Sequence, residues 1–279
     1  MLFFLPPIYF SAFIFYFLSQ LKRKDSLRKT GFFIMLAAGA IHFFYLALKG
    51  IKLGYLPTFG SKDIMIESSF FIVFFFMFLF FKYKVDLLGG VVSILISVIT
   101  LASLFMPEYQ YQPPGNLNIV ITAVHVFFTF LANAAFFMAC ILGCFYLIQE
   151  RNIKEKKLGF VFKRMSSLEI LEEAGNFCIL CGFICLSAGI AIGIVWSKHI
   201  FGYFISFDIK ELWSLLTWII YAAIIHGRLT SEWKGKKAAL MAILGFFIII
   251  FSLIGINIFT DSFHGEFFKG SPANIVIKG

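Results

Sequence analysis

The chain is built from long hydrophobic runs separated by short polar segments. A helix needs about 20 mainly apolar residues to cross a hydrocarbon core about 30 Å thick, whereas a membrane β-strand would alternate over about ten residues. Runs of the helical length fall near residues 2–20, 31–49, 64–81, 87–106, 119–149, 176–196, 210–229 and 238–259. The pattern predicts an all-α, polytopic membrane helix bundle of about eight transmembrane helices, forming a single integral membrane domain over residues 1–279.

Basic residues are concentrated in alternate connections between these runs. Of the 24 Lys and Arg residues, 17 lie in the connections after the first, third, fifth and seventh runs. Because cytoplasmic loops carry the excess of Lys and Arg, these connections are predicted to be cytoplasmic and both termini to be outside. The net charge of +9 is then a consequence of topology, and we expect no nucleic-acid partner.

The composition agrees with a membrane protein. Hydrophobic residues make up 60% of the chain and charged residues 14%. A soluble domain is roughly half apolar and about a quarter charged. The apolar surface of this chain is therefore larger than the core of a soluble domain could bury.

Five cysteines lie in the fifth and sixth runs. Cys140 and Cys144 are four residues apart, and Cys178, Cys181 and Cys185 share one helical face. A C-x-x-C pair can form a reactive dithiol, and a zinc site would need a suitably spaced histidine, which the sequence does not offer. We interpret the cysteines as small apolar packing residues.

Two histidines are predicted to lie near the outer face. The fifth run of 31 residues would form a helix about 46 Å long, so it overshoots the hydrocarbon core, with His125 near its outer end. His264 follows the eighth run on the same side. Two imidazoles at the same face of the membrane can ligate a haem iron, one from each side of the haem ring. The alternative is a solvated His264 and a His125 hydrogen-bonded to a neighbouring helix.

Two further histidines lie within the runs, where ionisable residues are candidates for function. His42 is near the middle of the second run, about 16 Å from its inner end, and His226 is about 5 Å from the inner end of the seventh. Helix tilt still permits a shared haem, and the alternative is that each is a buried, hydrogen-bonded histidine. His199 is expected to lie solvated in a loop.

A family resemblance is carried by GIVWSKHIFGYFISFDIKELWSLLTWIIYAAIIHGRL and WKGKKAALMAILGFFIIIFSLIGINIFTDSFHGEF. These stretches resemble the tryptophan-rich haem-handling loop and the last two helices of cytochrome c assembly proteins of the CcsA, ResC and HemX type, which are related to CcmC. The similarity covers roughly residues 117–268. Its features occur in the order His125, an outer aromatic loop, D-x-K-E, W-x-x-x-x-W, His226 and His264.

The resemblance implies a membrane protein that binds b-type haem non-covalently and presents it for covalent attachment to apocytochrome c. His125 and His264 correspond to the family's outer axial ligands of the haem iron, and His226 and His42 to its transmembrane histidines. The haem edge would be held by a loop whose matching residues are Phe201, Gly202, Tyr203, Phe204, Ile205, Ser206, Phe207 and Asp208.

The haem-handling motif is degenerate in this chain. The family pattern is approximately W-G-x-x-W-x-W-D, and residues 201–208 read F-G-Y-F-I-S-F-D. Phenylalanine keeps an apolar face for a porphyrin but lacks the indole N–H donor. Stacking and exclusion of water are therefore expected to persist, whereas hydrogen bonds to the haem propionates from these positions are not.

The resemblance also implies a bacterial plasma-membrane location, a haem site at the extracytoplasmic face and a second membrane subunit of the assembly system. No nucleophile–base pair is evident in the sequence, so we expect a haem-delivery component of a synthase complex and not an independent enzyme. One alternative is a HemX-like regulator of haem synthesis that acts through residues 150–175. Another is a small-molecule permease or structural subunit in which the histidines are packing residues.

Overall fold

The architecture is helical throughout the part of the chain that the computed structural model describes, which comprises residues 1–58, 60–83, 85–108, 118–157, 159–160, 162–202, 204–205, 209–230 and 233–251. Eight α-helices and two short 3-10 helices, but no strand, occur in these ranges. The α-helices are α1 Leu5–Lys22, α2 Asp25–Leu53, α3 Ser61–Lys82, α4 Asp86–Ser103, α5 Ile119–Lys154, α6 Leu168–Phe201, α7 Ile209–Leu229 and α8 Lys236–Ile250. The all-α prediction is confirmed for these residues.

Six of the helices are long and apolar enough to cross a membrane, namely α1, α2, α3, α5, α6 and α7. The apolar part of α4 is shorter, at Leu87–Ser103, and α8 is described for 15 residues. The chain is therefore a multi-helix membrane protein. The crossing of the membrane by all eight helices and the outside position of both termini stay predictions.

Several helices are longer than the hydrophobic runs that predict them, and capping residues mark the start of α5 and both ends of α6. The Asn118 side chain accepts hydrogen bonds from two backbone N–H groups in the first turn of α5, both at 3.1 Å. The Ser167 side chain accepts one such bond, from Ile170 N–H, and so caps α6 nine residues before the predicted run begins. Gly202 ends α6 in the left-handed region, with φ of 83°, a conformation that favours glycine.

Helix α5 is the central helix of the bundle. It packs along the length of α6 and also contacts α3 and α8, while α1 packs against α2 and α4. At 36 residues it extends about 54 Å, which agrees with a helix that overshoots the hydrocarbon core. Aromatic pairs connect it to its neighbours, for example Phe130 with Phe71 from α3, at 5.7 Å between ring centroids, and Phe136 with Tyr221 from α7, at 3.7 Å.

Three glycines of α6 allow its close approach to α5. A Cβ atom on each would lie 2.6 to 3.1 Å from an α5 side chain, so close that the α5 side chain would have to shift. The facing pairs are Gly182–Phe136, Gly189–Thr129 and Gly193–His125. Small residues are typical of interfaces between membrane helices, because they let the backbones come together. We call these three residues the glycine row.

Replacing Gly182 with Ala tests this close packing. The added methyl group would lie 2.6 Å from the Phe136 ring, and overpacking of this kind costs about 1–3 kcal/mol. The gain in helix propensity of about 1 kcal/mol offsets only part of that cost, so we expect a lower thermal unfolding midpoint in detergent.

The control is Gly175→Ala, also on α6, where the nearest atom to the new Cβ is Leu142 Cβ at 4.0 Å. This substitution is expected to leave the unfolding midpoint unchanged or raised. Equal midpoints for the two variants would contradict the proposed closeness of α5 and α6.

An ion-pair cluster joins α2, α3 and the segment after α4 at the end of the bundle that is predicted to lie outside. Lys49 Nζ lies 2.6 Å from Asp63 Oδ1 and 2.9 Å from Glu108 Oε1, and Lys62 Nζ lies 3.3 Å from Glu108 Oε2. The side chains of Lys49 and Asp63 are nearly enclosed, whereas that of Glu108 is 56% exposed. We call these four residues the Lys49 cluster.

The Lys49 cluster predicts a small pH dependence of stability. The hydrogen bond from Lys49 holds the pKa of Glu108 below its ordinary value of 4.5. Glu108 therefore stabilises the fold above pH 4.5, and this contribution is lost as the pH falls through the lower folded pKa. Because Glu108 is half-exposed, the contribution should not exceed about 1 kcal/mol.

The measurement compares unfolding midpoints of the wild type and Glu108→Gln at pH 7 and pH 3. The wild type should be the more stable protein at pH 7, and the difference should shrink at pH 3. A difference that does not change with pH would show that the Glu108 carboxylate contributes nothing through its charge.

Candidate functional site

A cavity of about 260 Å³ lies between α5, α6 and α7, at the end of the bundle that is predicted to face outside. Its walls are mainly apolar, with a few polar side chains. The lining residues are His125, Thr129, Leu186, Gly189, Ile190, Gly193, Ile194, Trp196, Phe204, Ile205, Glu211, Leu212, Ser214 and Leu215. We call this the His125 cavity.

One hydrogen bond determines which nitrogen of His125 can bind a ligand. Nδ1 lies 2.9 Å from the Gly189 carbonyl oxygen. A carbonyl oxygen can only accept, so Nδ1 carries the proton and donates it. In the neutral ring Nε2 then holds the lone pair, which is the arrangement found in metal-binding histidines.

Packing also restricts the position of the His125 ring. A Cβ atom on Gly193 would lie 2.9 Å from Cε1 of the His125 ring. On another side the ring is parallel to the Trp196 indole, with 6.4 Å between centroids and 16° between planes. Trp196 is held in turn by a hydrogen bond from its Nε1 to Thr122 Oγ1 at 2.9 Å. The imidazole is thus oriented by both of its packed neighbours.

Trp196 is a site residue that the sequence analysis did not single out. It follows Gly189 and Gly193 at helical positions i+7 and i+3, which places all three on one face of α6. That spacing, together with its place in the stretch that carries the family resemblance, is the signal that could have found it.

The loop after α6 lies beside the same cavity. Phe204 and Ile205 line it and are about half-exposed. Lys198 Nζ donates to the Gly202 carbonyl oxygen at 2.6 Å and lies 5.0 Å from the centroid of the Phe204 ring. His125 and Phe204 therefore line the same cavity.

Other predicted loop residues do not all lie in the loop. Phe201 is the last residue of α6, so its assignment to the loop was wrong, because the helix continues to its cap at Gly202. Tyr203, Ser206, Phe207, Asp208 and His264 lie outside the described residues. The pairing of His125 with His264 stays a prediction.

The two tryptophans of the W-x-x-x-x-W motif attach α7 to its neighbours. Trp213 Nε1 donates to the Ile248 carbonyl oxygen of α8 at 3.2 Å, and Trp218 Nε1 donates to Ser187 Oγ of α6 at 2.8 Å. Neither tryptophan lines the His125 cavity. Their role in the described structure is to hold α7 in place as one wall of that cavity.

The remaining histidines lie apart from the His125 cavity. His42 is fully buried, with Nδ1 3.2 Å from the Tyr9 hydroxyl and its ring against Phe70. His226 is exposed in the last turn of α7, and His199 is exposed in the last turn of α6. His199 was predicted to lie in a loop, and this is wrong because α6 extends past it.

The chemistry of the His125 cavity fits one side of a haem. It offers an oriented imidazole nitrogen within apolar walls, and half-exposed apolar side chains at the loop where a planar ring could rest. Nitrogen ligation by histidine is one of the common ways in which proteins hold haem iron.

Comparisons with known proteins give one consistent result. The family model described as Cytochrome C assembly protein matches residues 2–264. A Cytochrome c biogenesis protein CcsA from Heterosigma akashiwo is 27% identical over 264 residues, covering 81% of each chain. The protein of the same name from Guillardia theta is 26% identical over 240 residues, covering 78% of this chain and 79% of its own length. A protein of the same name from Prochlorococcus marinus is 42% identical over 105 residues, which are 37% of this chain and 33% of its own length.

Proposed function

The chain belongs to the cytochrome c assembly protein family, and we propose that it binds haem and presents it for covalent attachment to apocytochrome c. The observation that carries the proposal is the orientation of His125, whose Nδ1–H is engaged by the Gly189 carbonyl, so that Nε2 would be the atom to bind iron. Relatives named as cytochrome c biogenesis proteins favour this role. The alternative of a regulator of haem synthesis gains no support from them.

In this proposal b-type haem is a non-covalently held cargo. His125 supplies one axial ligand and His264 the other, from opposite sides of the ring. With a histidine on both sides of the haem, the iron would have no open coordination position for oxygen. The apolar walls from α6 and α7 exclude water, while the loop leaves one edge of the haem open to the partner.

Attachment itself would use groups of the partner. The two thiols of a C-x-x-C-H segment in apocytochrome c add across the two haem vinyl groups, and each thiol hydrogen is transferred to a vinyl carbon. This chain would position the haem and would not supply a nucleophile. We propose that a second membrane subunit of the assembly system completes the complex.

The loop would hold the exposed haem edge. Phe204 offers an apolar face beside the cavity, and Gly202 permits the sharp change of direction after α6. Phe207 and Asp208 complete this contact in the proposal, by analogy with the family motif. The site would lie at the extracytoplasmic face of a bacterial plasma membrane.

Haem would reach the site from the other end of the bundle. His226 is exposed in the last turn of α7, so it could bind incoming haem without rearrangement. His42 is enclosed and hydrogen-bonded to Tyr9, and its ligation would require α1 and α2 to separate. We therefore propose that His226 acts in haem transfer before His42 does.

The central test is the haem content of His125→Ala. We expect the wild type purified in mild detergent to show the absorption spectrum of a haem with two histidine ligands. Haem occupancy of the variant should fall about tenfold or more, since loss even of an outer-shell partner of a metal ligand costs about 10–100-fold. Added imidazole should restore part of the occupancy by filling the space left by the side chain.

The matched control is His199→Ala, an exposed histidine of α6 that does not line the cavity, which should keep wild-type haem content. Undiminished haem and normal cytochrome c maturation in His125→Ala would refute the proposal.

A further inference from the structure

A second and larger cavity opens on the side of the bundle between α2, α3 and α5. Its volume is about 950 Å³. Its lining follows α2 from Leu36 to Ile51, a rise of about 22 Å, which is most of the thickness of the hydrocarbon core. We call it the lateral groove.

The shape of the lateral groove suits a helix. Its α2 wall contains the small residues Gly39, Ala47 and Gly50, while Phe43 and Phe74 form partly exposed rims. Small residues on a membrane helix let a second helix approach closely. The groove thus combines the length of a transmembrane helix with a wall that can accept one.

One acidic side chain lines this otherwise apolar surface. Glu67 of α3 is 4% exposed and lines the groove, and its Oε2 atom has no hydrogen-bond partner. It lies six residues from the start of α3, about 9 Å along the helix. The nearby cation Lys49 is already paired with Asp63 and Glu108. A carboxyl group at such a depth is costly unless another group bonds to it.

We infer that the lateral groove receives a transmembrane helix of another polypeptide, which places a hydrogen-bond donor against Glu67. A hydroxyl, amide or imidazole side chain would satisfy the carboxyl oxygen. A lipid acyl chain could fill the apolar length but has no donor to offer Glu67. A helix provides both the length and the donor.

This docking surface is separate from the His125 cavity. Helix α5 lies between them, with Ala123, Val126 and Phe127 lining the groove and His125 and Thr129 lining the cavity. The inference therefore rests on the groove alone. A docked helix would also support α5 from behind, on the side away from His125.

Photocross-linking of the full chain in its native membrane tests the inference. The photoreactive amino acid p-benzoylphenylalanine is placed at Ala47, inside the groove, or at the adjacent Leu48, which is 55% exposed and does not line the groove. Position 47 should give one discrete product with a second polypeptide, and position 48 should not. The cross-linked peptide should be an apolar segment of about 20 residues that contains a donor side chain.

Two substitutions examine the role of Glu67. Glu67→Leu should lower the yield of the position-47 product about tenfold, which corresponds to about 1.4 kcal/mol. Glu67→Gln keeps a side chain of the same shape with both a donor and an acceptor, so it should retain most of the yield. The unfolding midpoint of each variant shows whether the bundle is intact.

Several results would overturn the inference. These are adducts with lipid alone, a product in which the cross-linked peptide comes from a second copy of this chain, equal yields at positions 47 and 48, or a yield that Glu67→Leu does not change. Haem content is measured on the same preparations. The inference predicts no loss of haem in the groove variants, so its failure is distinguishable from failure of the haem proposal.

Discussion

The close approach of α5 and α6 is the constraint on which the rest of the structure depends. Each member of the glycine row faces an α5 side chain that a Cβ atom would displace. With little hydrophobic drive between helices in lipid, association there depends on close van der Waals packing and on interhelical hydrogen bonds. The glycine row provides the packing, and the bond from His125 to the Gly189 carbonyl provides one such hydrogen bond.

The same contact has a chemical consequence. By engaging Nδ1, the Gly189 carbonyl selects the tautomer in which Nε2 holds the lone pair, and Gly193 and Trp196 restrict the plane of the ring. An interhelical hydrogen bond that contributes to the fold thus also prepares the site. The tryptophans of α7 extend this arrangement without lining the cavity, since they attach to α6 and α8 the helix whose other side chains form its far wall.

The sequence predicted the helices and the main candidate residue of the site. Run length identifies segments that belong in hydrocarbon, and His125 is recognisable from its position near the end of an unusually long run. The ends of α6 were missed because Ser167 and Gly202 determine them through capping and backbone conformation, which hydrophobicity does not encode. The bond between His42 and Tyr9 is a contact between separate helices and cannot be read from one sequence.

Glu67 shows a different kind of omission. Its position inside the predicted run at 64–81 was a sufficient signal, since an ionisable residue within a span is a candidate for function. What the sequence could not show is that the side chain lines a groove with no partner for one of its oxygens. That conclusion depends on how α2, α3 and α5 are arranged.

Electron paramagnetic resonance of the ferric haem in Gly193→Ala tests most directly whether the packing of α5 on α6 orients His125 toward iron. This variant retains His125, but its new methyl group would lie 2.9 Å from the imidazole Cε1 and should displace the ring. The account predicts a low-spin signal in the wild type that is weakened, or replaced by a high-spin signal, in the variant. An unchanged low-spin signal in Gly193→Ala would contradict it.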